Sequence, residues 1–487
     1  MNGGSATPGG QPSALAAVSD RLLSAGVNVV GAAVAIGVAA ALTSAFTSDQ
    51  VQLASVVLGL ATLLLLLVVA PDQGLLLWVV LAPFHRFFNL DMGSGLPNLG
   101  LHRIVALSLL LLLMAQRAAN RRRLLRFTAI EVLSGLFALG MLLSVPASRL
   151  GIVGGIQNVF DFVVLPLLWF YFARNLLGSK QGLARLAIAI AIAGAAMGLI
   201  AAREQLTLQT VLSPNLFHQA YGRYSVKVNS LFGSAAIMSM TLAVTVAVTF
   251  LGAVRARKLG SRLAWSAALV AILAGLLLTY VRGGWAAALP SLLVPALLSR
   301  RAQRYALYVA PLFLILALIV TYGGVDTRAI EERLQSQKPI DYRVDAIEIG
   351  LQIAVQSPVF GLGLDNYGEA ALAAGWRPVS GAVLQPVDHP HNMFIYVLTS
   401  AGLVGLLPLL ALLGLIGWRA LGLLRTNRDR DWPAAVLGLL MGYGVLAVSF
   451  DAYRAQLGNM YFFMIVGAVF GAYEAQNDRA FVSEAVS

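Results

Sequence analysis

The chain contains no cysteine and few charged residues. None of its 487 residues is Cys, which excludes disulfide bonds, thiol catalysis and Cys-ligated metals. Only 11% of the residues are charged, whereas a soluble domain carries roughly 25%. This shortage of charge excludes a soluble enzyme, a disordered protein and a nucleic-acid-binding module as descriptions of the whole chain.

Apolar residues are abundant instead. They make up 59% of the chain, and the mean hydropathy is +0.79. Runs such as Leu53–Ala70 and Ala306–Val320 recur throughout, so the solvent for most of the chain is lipid. The pattern predicts an all-α polytopic membrane protein, a bundle of about 12–14 transmembrane helices with a large, partly helical periplasmic loop. The predicted spans are 27–46, 51–70, 73–89, 101–116, 127–147, 152–173, 182–202, 229–251, 263–281, 284–299, 306–322, 392–417, 433–450 and 457–474.

The net charge of +12 is distributed unevenly across these spans. Basic residues collect in alternate loops, and such loops lie in the cytoplasm. Both termini are therefore predicted to be cytoplasmic. The basic residues that set this orientation are Arg117, Arg121, Arg122, Arg123, Arg126, Arg174, Lys180, Arg185, Arg255, Arg257, Lys258, Arg262, Arg300, Arg301, Arg304, Arg419, Arg425, Arg428 and Arg430.

The predicted organisation has five parts. Residues 1–26 form a disordered cytoplasmic leader, 27–322 a transmembrane bundle, 323–391 a large periplasmic loop, 392–474 the C-terminal transmembrane helices and 475–487 a cytoplasmic tail. The loop is too long for a simple connection, and Asp326–Gln337 and Arg343–Gln356 have helical spacing. All five histidines map to the outer side or its membrane edge, which makes that side the place to look for chemistry.

Two of these histidines precede a predicted helix in the sequence His389-Pro390-His391-Asn392. Histidine is the usual general base near neutral pH. A histidine or asparagine at this position can also simply cap the helix. A metal site is a third interpretation, but only Asp388 lies nearby as a further ligand.

Several arginines lie on the same predicted side. Each by itself is explained by a structural role or by a lipid headgroup contact. Together with a histidine they indicate an anionic ligand, because guanidinium pairs bidentately with phosphate. These residues are Arg223, Arg282, Arg343, Arg377 and Arg454.

Three other patterns remain. Asp161 falls inside a predicted span, where a charge is a functional hint, yet the sequence offers no evident partner. Asp429-Arg430-Asp431 matches a metal-binding DxD pattern but lies in a basic loop without a catalytic domain, which favours chance. Gly361-Leu362-Gly363 follows no βαβ strand, so a dinucleotide site is not predicted.

Three segments resemble the O-antigen ligase and Wzy-type polymerase superfamily of bacterial membrane glycosyltransferases. The ligase motif, His and Asn followed after nine residues by Gly-x-x-Gly, is matched by His391-Asn392 and Gly402–Gly405. An Arg-Gly signature is matched at Arg282-Gly283, and an Arg plus Pro-x-x-Gly-x-Gly pattern at Arg343 and Pro358–Gly363. A looser match pairs Arg223 with Asn229.

The resemblance implies a glycan donor on undecaprenyl diphosphate, used on the periplasmic face of the bacterial inner membrane. It implies His391 as the base, Arg282 and Arg223 on the diphosphate, and Arg343 as a weaker third arginine. His389 competes for the base role, and Asn392, Arg377 and Arg454 are further candidates. No cofactor, metal or nucleic acid is expected. The expected partners are the lipid-linked glycan, membrane lipids and, as acceptor, lipid A–core or a growing glycan.

Three functions stay open. A ligase would join O-antigen to lipid A–core, whereas a polymerase would extend the lipid-linked glycan with the same donor chemistry. The His-Asn and Gly-x-x-Gly match favours the ligase. A transporter for a small anion such as bicarbonate is the third, although the sequence shows no inverted repeat.

We predict that residues 223, 282 and 391 lie on the outer, periplasmic side of the membrane and residues 122 and 301 on the cytoplasmic side. The reason is the one-sided distribution of basic loops. Because the protein has no native Cys, single-Cys variants can be labelled with an impermeant maleimide on intact cells. Labelling of residues 122 and 391 from the same side would contradict this orientation.

Overall fold

The computed structural model describes residues 60–88, 100–119, 127–207, 220–221, 225–226, 231–307, 338–376 and 389–486. For residues 87–88, 220–221, 225–226, 338–342 and 476–486 only the backbone is described. The chain divides into two units, Met1–Val69 and Ala70–Ser487. Of the first unit the structure describes only residues 60–69, which form one helix, and the rest of the account concerns the second.

The described residues are almost entirely helical. One antiparallel strand pair, Ala220–Tyr221 with Ser225–Val226, places Ala220 opposite Val226. The helices are α1 (Leu60–Val69), α2 (Pro71–Leu81), α3 (Leu101–Ala118), α4 (Ala129–Leu143), α5 (Gly151–Leu176), α6 (Lys180–Thr207), α7 (Ala235–Arg255), α8 (Leu259–Leu278), α9 (Arg282–Leu298), α10 (Lys338–Gln356), α11 (Tyr367–Ala373), α12 (Met393–Thr426), α13 (Asp431–Ser449) and α14 (Gln456–Val486).

Nine helices within the described ranges are long and apolar enough to cross a membrane. The prediction of an all-α polytopic membrane protein is confirmed. The predicted span 284–299 corresponds to α9, which has 17 residues. The predicted span 27–46 lies outside the described residues, as does 306–322 beyond residue 307. Of the predicted span 51–70 the structure describes residues 60–70, which include α1.

The prediction of one continuous span at 73–89 is wrong. The 11-residue helix α2 ends at Leu81 and is followed by a 3₁₀ helix, Ala82–Phe88. Pro83 has no backbone N–H to donate to an α-helical hydrogen bond, and the chain tightens into the 3₁₀ form at this point.

Helices α7 and α14 form the centre of the bundle and are buried along nearly their whole membrane-spanning lengths. Helix α14 packs closely on α5 because Gly467 and Gly471 lie directly against the α5 backbone at Phe170 and Arg174. Small residues allow such close approach between helices in lipid. At the other side of α14, the Tyr461 hydroxyl donates to the carbonyl oxygen of Val79 at 2.5 Å.

One end of the bundle, here named the basic end, carries basic residues near the ends of helices and beyond them. They include Arg117, Arg174, Arg255, Arg300 and Arg419. Buried Arg174 pairs with Glu131 at 2.5 Å and with Glu474 at 2.7 Å.

The DxD pattern also lies at the basic end. Arg255 pairs with Asp429 at 2.8 Å and with Asp431 at 3.1 Å. Asp431 also accepts a hydrogen bond from the Ser299 hydroxyl at 2.6 Å. These ion pairs give Asp429 and Asp431 a structural role and support the interpretation of the pattern as chance.

The opposite end, here named the motif end, contains the start of α12, the end of α13 and residues 357–363. Helix α12 is broken at this end. Gly402 has φ 61° and ψ −157°, far from helical values. The break lies inside an apolar helix, where unsatisfied backbone groups cost several kcal/mol each. A partner for the freed amides and carbonyls is therefore required.

Residues 357–363, named the docked loop, supply that partner through four backbone hydrogen bonds. The amides of Leu362 and Gly363 donate to the carbonyls of Thr399 and Ser400 at 2.8 and 3.0 Å. The amides of Leu403 and Val404 donate to the carbonyls of Pro358 and Val359 at 2.9 and 3.1 Å.

Glycines make this contact possible. A Cβ at Gly402 would overlap the backbone of Val359, and one at Gly361 would overlap the backbone of Ser400. On its other side, the turn of α12 at Gly405 lies against Gly140 of α4, where a Cβ would come within 2.9 Å of the Gly405 Cα. The Pro-x-x-Gly-x-Gly and Gly-x-x-Gly motifs are therefore two halves of one backbone contact.

The rest of the segment 338–376 packs beside this contact, and its prediction as partly helical is confirmed for these residues. Helices α10 and α11 share a small apolar core of Ile353, Tyr367, Ala371 and Trp376. The Tyr367 hydroxyl donates to the carbonyl of Ala346 at 2.6 Å, which joins the two helices. The predicted helix 326–337 lies outside the described residues.

We expect Gly402→Ala to destabilise the protein by about 3 kcal/mol or more, because the side chain meets both a positive φ and the backbone of Val359. The matched control is Gly414→Ala in the same helix, where a Cβ meets nothing within 4 Å. Thermal unfolding in detergent measures both variants. Equal melting temperatures for Gly402→Ala and the control would show that the break is dispensable.

Candidate functional site

Asn392 caps the start of α12. Its side-chain oxygen accepts from the amides of Phe394 and Ile395 at 3.0 and 3.1 Å. Its amide group donates to the carbonyl of Val448 at 3.2 Å. Asn392 therefore fixes the start of α12 to the end of α13, which is a positioning role.

His391 precedes Asn392 and does not itself cap the helix. It is half-buried, and its ring lies 5.1 Å from that of His389 in an edge-on arrangement. Burial, followed by the positive charges of Arg343 and Arg454, lowers the pKa of His391 from 6.5 to about 4. The ring is therefore neutral at pH 7 and able to accept a proton.

Arg282 begins α9 directly after a tight turn. The indole of Trp285 closes that turn by donating to the carbonyl of Leu276 at 2.9 Å. A Cβ at Gly283 would lie 2.7 Å from the hydroxyl oxygen of Ser449. Gly283 thus lies against residue 449 of α13, and Asn392 binds residue 448. Arg282 and His391 are held around the same helix end.

Arg454 lies in the loop between α13 and α14 and joins this group. Its Nη2 donates to Asp365 at 2.7 Å, and its Nε lies 3.4 Å from the carboxylate of Asp451. Asp365 follows the docked loop by two residues, so this ion pair ties the loop to the end of α13. Arg454 is one-third exposed and Asp451 is fully buried.

Asn459 of α14 anchors the loop that carries Arg454. Asn459 donates to the carbonyls of Ala452 and Tyr453 at 2.8 and 3.3 Å, and accepts from the Tyr443 hydroxyl at 2.9 Å. The Tyr453 hydroxyl in turn donates to Asn158 of α5 at 2.6 Å. These contacts fix the backbone beneath Arg454.

Backbone strain concentrates around the same residues. Within the described part of the chain, the non-glycine residues with positive φ are Tyr280 (53°), Asp365 (64°) and His391 (49°). Each one adjoins or belongs to the group just described. Strain of this kind costs of order 1–3 kcal/mol per residue and clusters at functional sites.

The intramembrane residue Asp161 has a partner that the sequence did not reveal. Arg103 donates to it bidentately, with Nε at 2.8 Å and Nη2 at 2.5 Å. Gln456 donates to the backbone carbonyl of Asp161 at 3.0 Å. The pair neutralises the charge and links α3, α5 and α14.

The motif end therefore gathers six of the predicted site residues: Arg282, Arg343, His389, His391, Asn392 and Arg454. Arg223 and Arg377 lie outside the described residues. Sequence reasoning did not select Asp365 and Asp451. The spacing of Asp451 three residues before Arg454 is a signal for one, but Asp365 carries no signal beyond its position after Gly363.

The metal interpretation gains no support from the geometry. Across the described ranges, no group of three or more His, Cys, Asp or Glu side chains is placed to hold a metal ion. The close pair of His389 and His391 is flanked by Arg343 and Arg454, whose positive charges oppose a cation.

We predict that Asp451 makes stability fall as pH rises. Burial raises its pKa from 3.8 to about 7, so the folded protein binds this proton more tightly than the unfolded chain. The stabilisation is complete at low pH and is lost as pH rises through 7, by about 4 kcal/mol at most. Melting temperatures at pH 5 and pH 8 should therefore differ less in Asp451→Asn than in the wild type. Glu369→Gln, at an exposed carboxylate, is the control, and an equal pH effect in all three proteins would contradict the assignment.

The comparisons with known proteins agree with the motifs. Residues 267–410 match the family model described as O-antigen ligase. A comparison with curated proteins finds no match. The matched segment contains Arg282, Arg343, the docked loop, His391 and the break at Gly402. Residues 267–410 of this polytopic membrane protein therefore form a domain of the O-antigen ligase family.

Proposed function

We propose that the protein transfers a glycan from undecaprenyl diphosphate to a hydroxyl acceptor at the motif end, on the periplasmic face of the bacterial inner membrane. The observation that carries the proposal is a neutral histidine, His391, held beside the cations Arg343 and Arg454. A base next to cations suits a reaction that removes a proton from one substrate and expels an anion from another.

The proposed step is a single displacement. His391 takes the proton of the acceptor hydroxyl as its oxygen bonds to the anomeric carbon of the glycan. The bond from that carbon to the diphosphate oxygen breaks, and the electron pair leaves with the lipid diphosphate. Proton removal by a placed base contributes roughly 10²–10⁴-fold.

Arginines stabilise the charge that grows on the leaving group. One such preplaced donor is typically worth about 3–4 kcal/mol in catalysis. We assign this role to Arg282 and Arg223, with Arg343 as a weaker third and Arg454 as a further candidate. Burial, aided by the charges of Arg343 and Arg454, keeps the His391 ring unprotonated. The two cations can therefore act on both the base and the leaving group.

We assign the base to His391 rather than His389 because of its attachment. His391 adjoins Asn392, whose side chain is fixed to both α12 and α13. His389 is two residues further from the helix and precedes Pro390. A base must lie within hydrogen-bond reach of the proton it removes, and a rigid element maintains that geometry better.

The acceptor distinguishes the two glycosyl-transfer alternatives. The His-Asn and Gly-x-x-Gly match supports a ligase with lipid A–core as acceptor, whereas a polymerase would use a second lipid-linked glycan at the same site. For the transporter alternative, Asp161 was the intramembrane charge that still needed an explanation, and its pair with Arg103 supplies a structural one.

The test is reconstitution of the purified protein in liposomes with an undecaprenyl-diphosphate-linked glycan and either lipid A–core or a second lipid-linked glycan. We expect transfer to lipid A–core, its loss in His391→Ala by at least about 100-fold, and a milder effect in His389→Ala. Donor binding to His391→Ala should remain, because arginines and membrane hold the donor.

EDTA provides the control for a metal and should leave the rate unchanged. Elongation of the lipid-linked glycan without transfer to lipid A–core would replace the ligase by the polymerase. A dead His389→Ala variant, or loss of turnover in EDTA, would show that His391 is not a metal-free base.

We predict that Arg282→Lys loses most activity although the charge is kept, because an ammonium cannot reproduce the bidentate guanidinium contact with phosphate. The protein should still insert and fold. The control is Arg149→Lys at an exposed ion pair with Glu369 of the motif end, which should retain activity. If Arg282→Lys turns over as fast as this control, Arg282 contributes only a surface charge.

A further inference from the structure

A second polar site lies at the basic end, far from the motif end along α6. A cavity of about 250 Å³ opens there among the start of α6, the end of α7, the start of α8 and the start of α13. Its lining includes Lys180, Ala184, Ile188, Arg255, Trp265 and Trp432. None of these residues takes part in the proposed glycosyl transfer.

Cationic donors line the polar part of the cavity. Among the described residues, the ammonium of Lys180 has no ion-pair partner. Arg255 makes its hydrogen bonds to Asp429 and Asp431 through Nη1 alone. Its Nε and Nη2 groups have no partner in the described part of the chain and can serve an anion.

One carboxylate also lines the cavity, that of Asp429, and it shares the Arg255 guanidinium with Asp431. Asp429 lies 2.8 Å from Arg255, and its backbone carbonyl accepts from the Tyr473 hydroxyl at 2.7 Å. The residues that follow Arg255 and flank Asp429 are basic as well. They are Arg257, Arg428 and Arg430. The local charge therefore favours an anion.

The other part of the cavity is apolar and continues into the outer surface of the bundle. Ala184 and Ile188 lie one turn apart on α6, and Ile188 and Ile192 are each 50% exposed. On the facing helix, Leu259 and Leu263 are 71% and 60% exposed. In a membrane protein such surface contacts acyl chains, so the cavity opens toward lipid.

Two indoles, those of Trp265 and Trp432, also line the cavity. The ring of Trp265 packs flat on α7, where a Cβ at Gly252 would overlap it. Trp432 begins α13 beside Asp431 and is nearly buried. Tryptophan is enriched at the level of the headgroups, and basic pockets between helices bind anionic headgroups.

We propose that this cavity binds the headgroup of an anionic phospholipid, with the phosphate at Lys180 and Arg255 and an acyl chain along Ala184, Ile188 and Ile192. A soluble phosphate would use only the polar part. The apolar continuation selects a lipid. This site is independent of the glycosyl transfer at the motif end.

The test titrates the purified protein in detergent with phosphatidylglycerol, and native mass spectrometry counts the lipid retained. We expect phosphatidylglycerol to bind more tightly than phosphatidylcholine, and inorganic phosphate not to displace it. Lys180→Gln should weaken binding about fivefold, the effect of one basic residue at a lipid surface. Ala184→Phe should reduce retention to the level of phosphatidylcholine by filling the path of the acyl chain.

Two matched variants control for charge and bulk. Lys258→Gln removes an equal charge from the same end outside the cavity lining, and Ala267→Phe adds the same ring to an exposed position of α8. Both should bind phosphatidylglycerol as the wild type does. The proposal would be overturned by equal losses of binding in Lys180→Gln and Lys258→Gln. Equal retention of the two lipids, or displacement of the lipid by inorganic phosphate, would also overturn it.

Discussion

The architecture of the motif end depends on the break in α12 at Gly402. Four backbone hydrogen bonds from the docked loop satisfy the amides and carbonyls that the break releases. One side of this contact carries the start of α12 and therefore His391. The other side carries the end of α10, the helix that contains Arg343. Because the two motifs interlock through backbone atoms, the position of the base and that of a cation are set by the same contact. A single methyl group at Gly402 would clash with the backbone of Val359 in this contact.

Electrostatics supports the proposed role of a histidine as the base at this position. Burial and the cations Arg343 and Arg454 keep the His391 ring neutral, whereas a carboxylate there would be held in an ion pair. The acidic residues of the group, Asp365 and Asp451, lie instead on Arg454 and orient it. A bound diphosphate would add negative charge to a region rich in cations. Its departure as an anion is then favoured by charges that were in place before it bound.

Hydropathy and motif spacing predicted most of the membrane-spanning helices and brought together His391, Arg282, Arg343 and Arg454. The break in α12 could not be predicted, because a glycine in an apolar run leaves hydropathy unchanged. The partner of Asp161 lies 58 residues away on another helix, and sequence does not encode that proximity. Asp365 acquires its role only when the docked loop binds α12. These failures share one cause, since each depends on contacts between distant segments.

The most direct test of the account is the pH dependence of kcat/KM for glycan transfer, which reports the pKa of the base in the free enzyme. The account predicts a rate that is constant from pH 8 down to about 5 and falls only near the pKa of about 4 given for His391. In Arg343→Gln, loss of a nearby cation should move this fall to higher pH, toward the ordinary histidine value of 6.5. A fall centred near 6.5 in the wild type that Arg343→Gln leaves unchanged would contradict a base kept neutral by its surrounding cations.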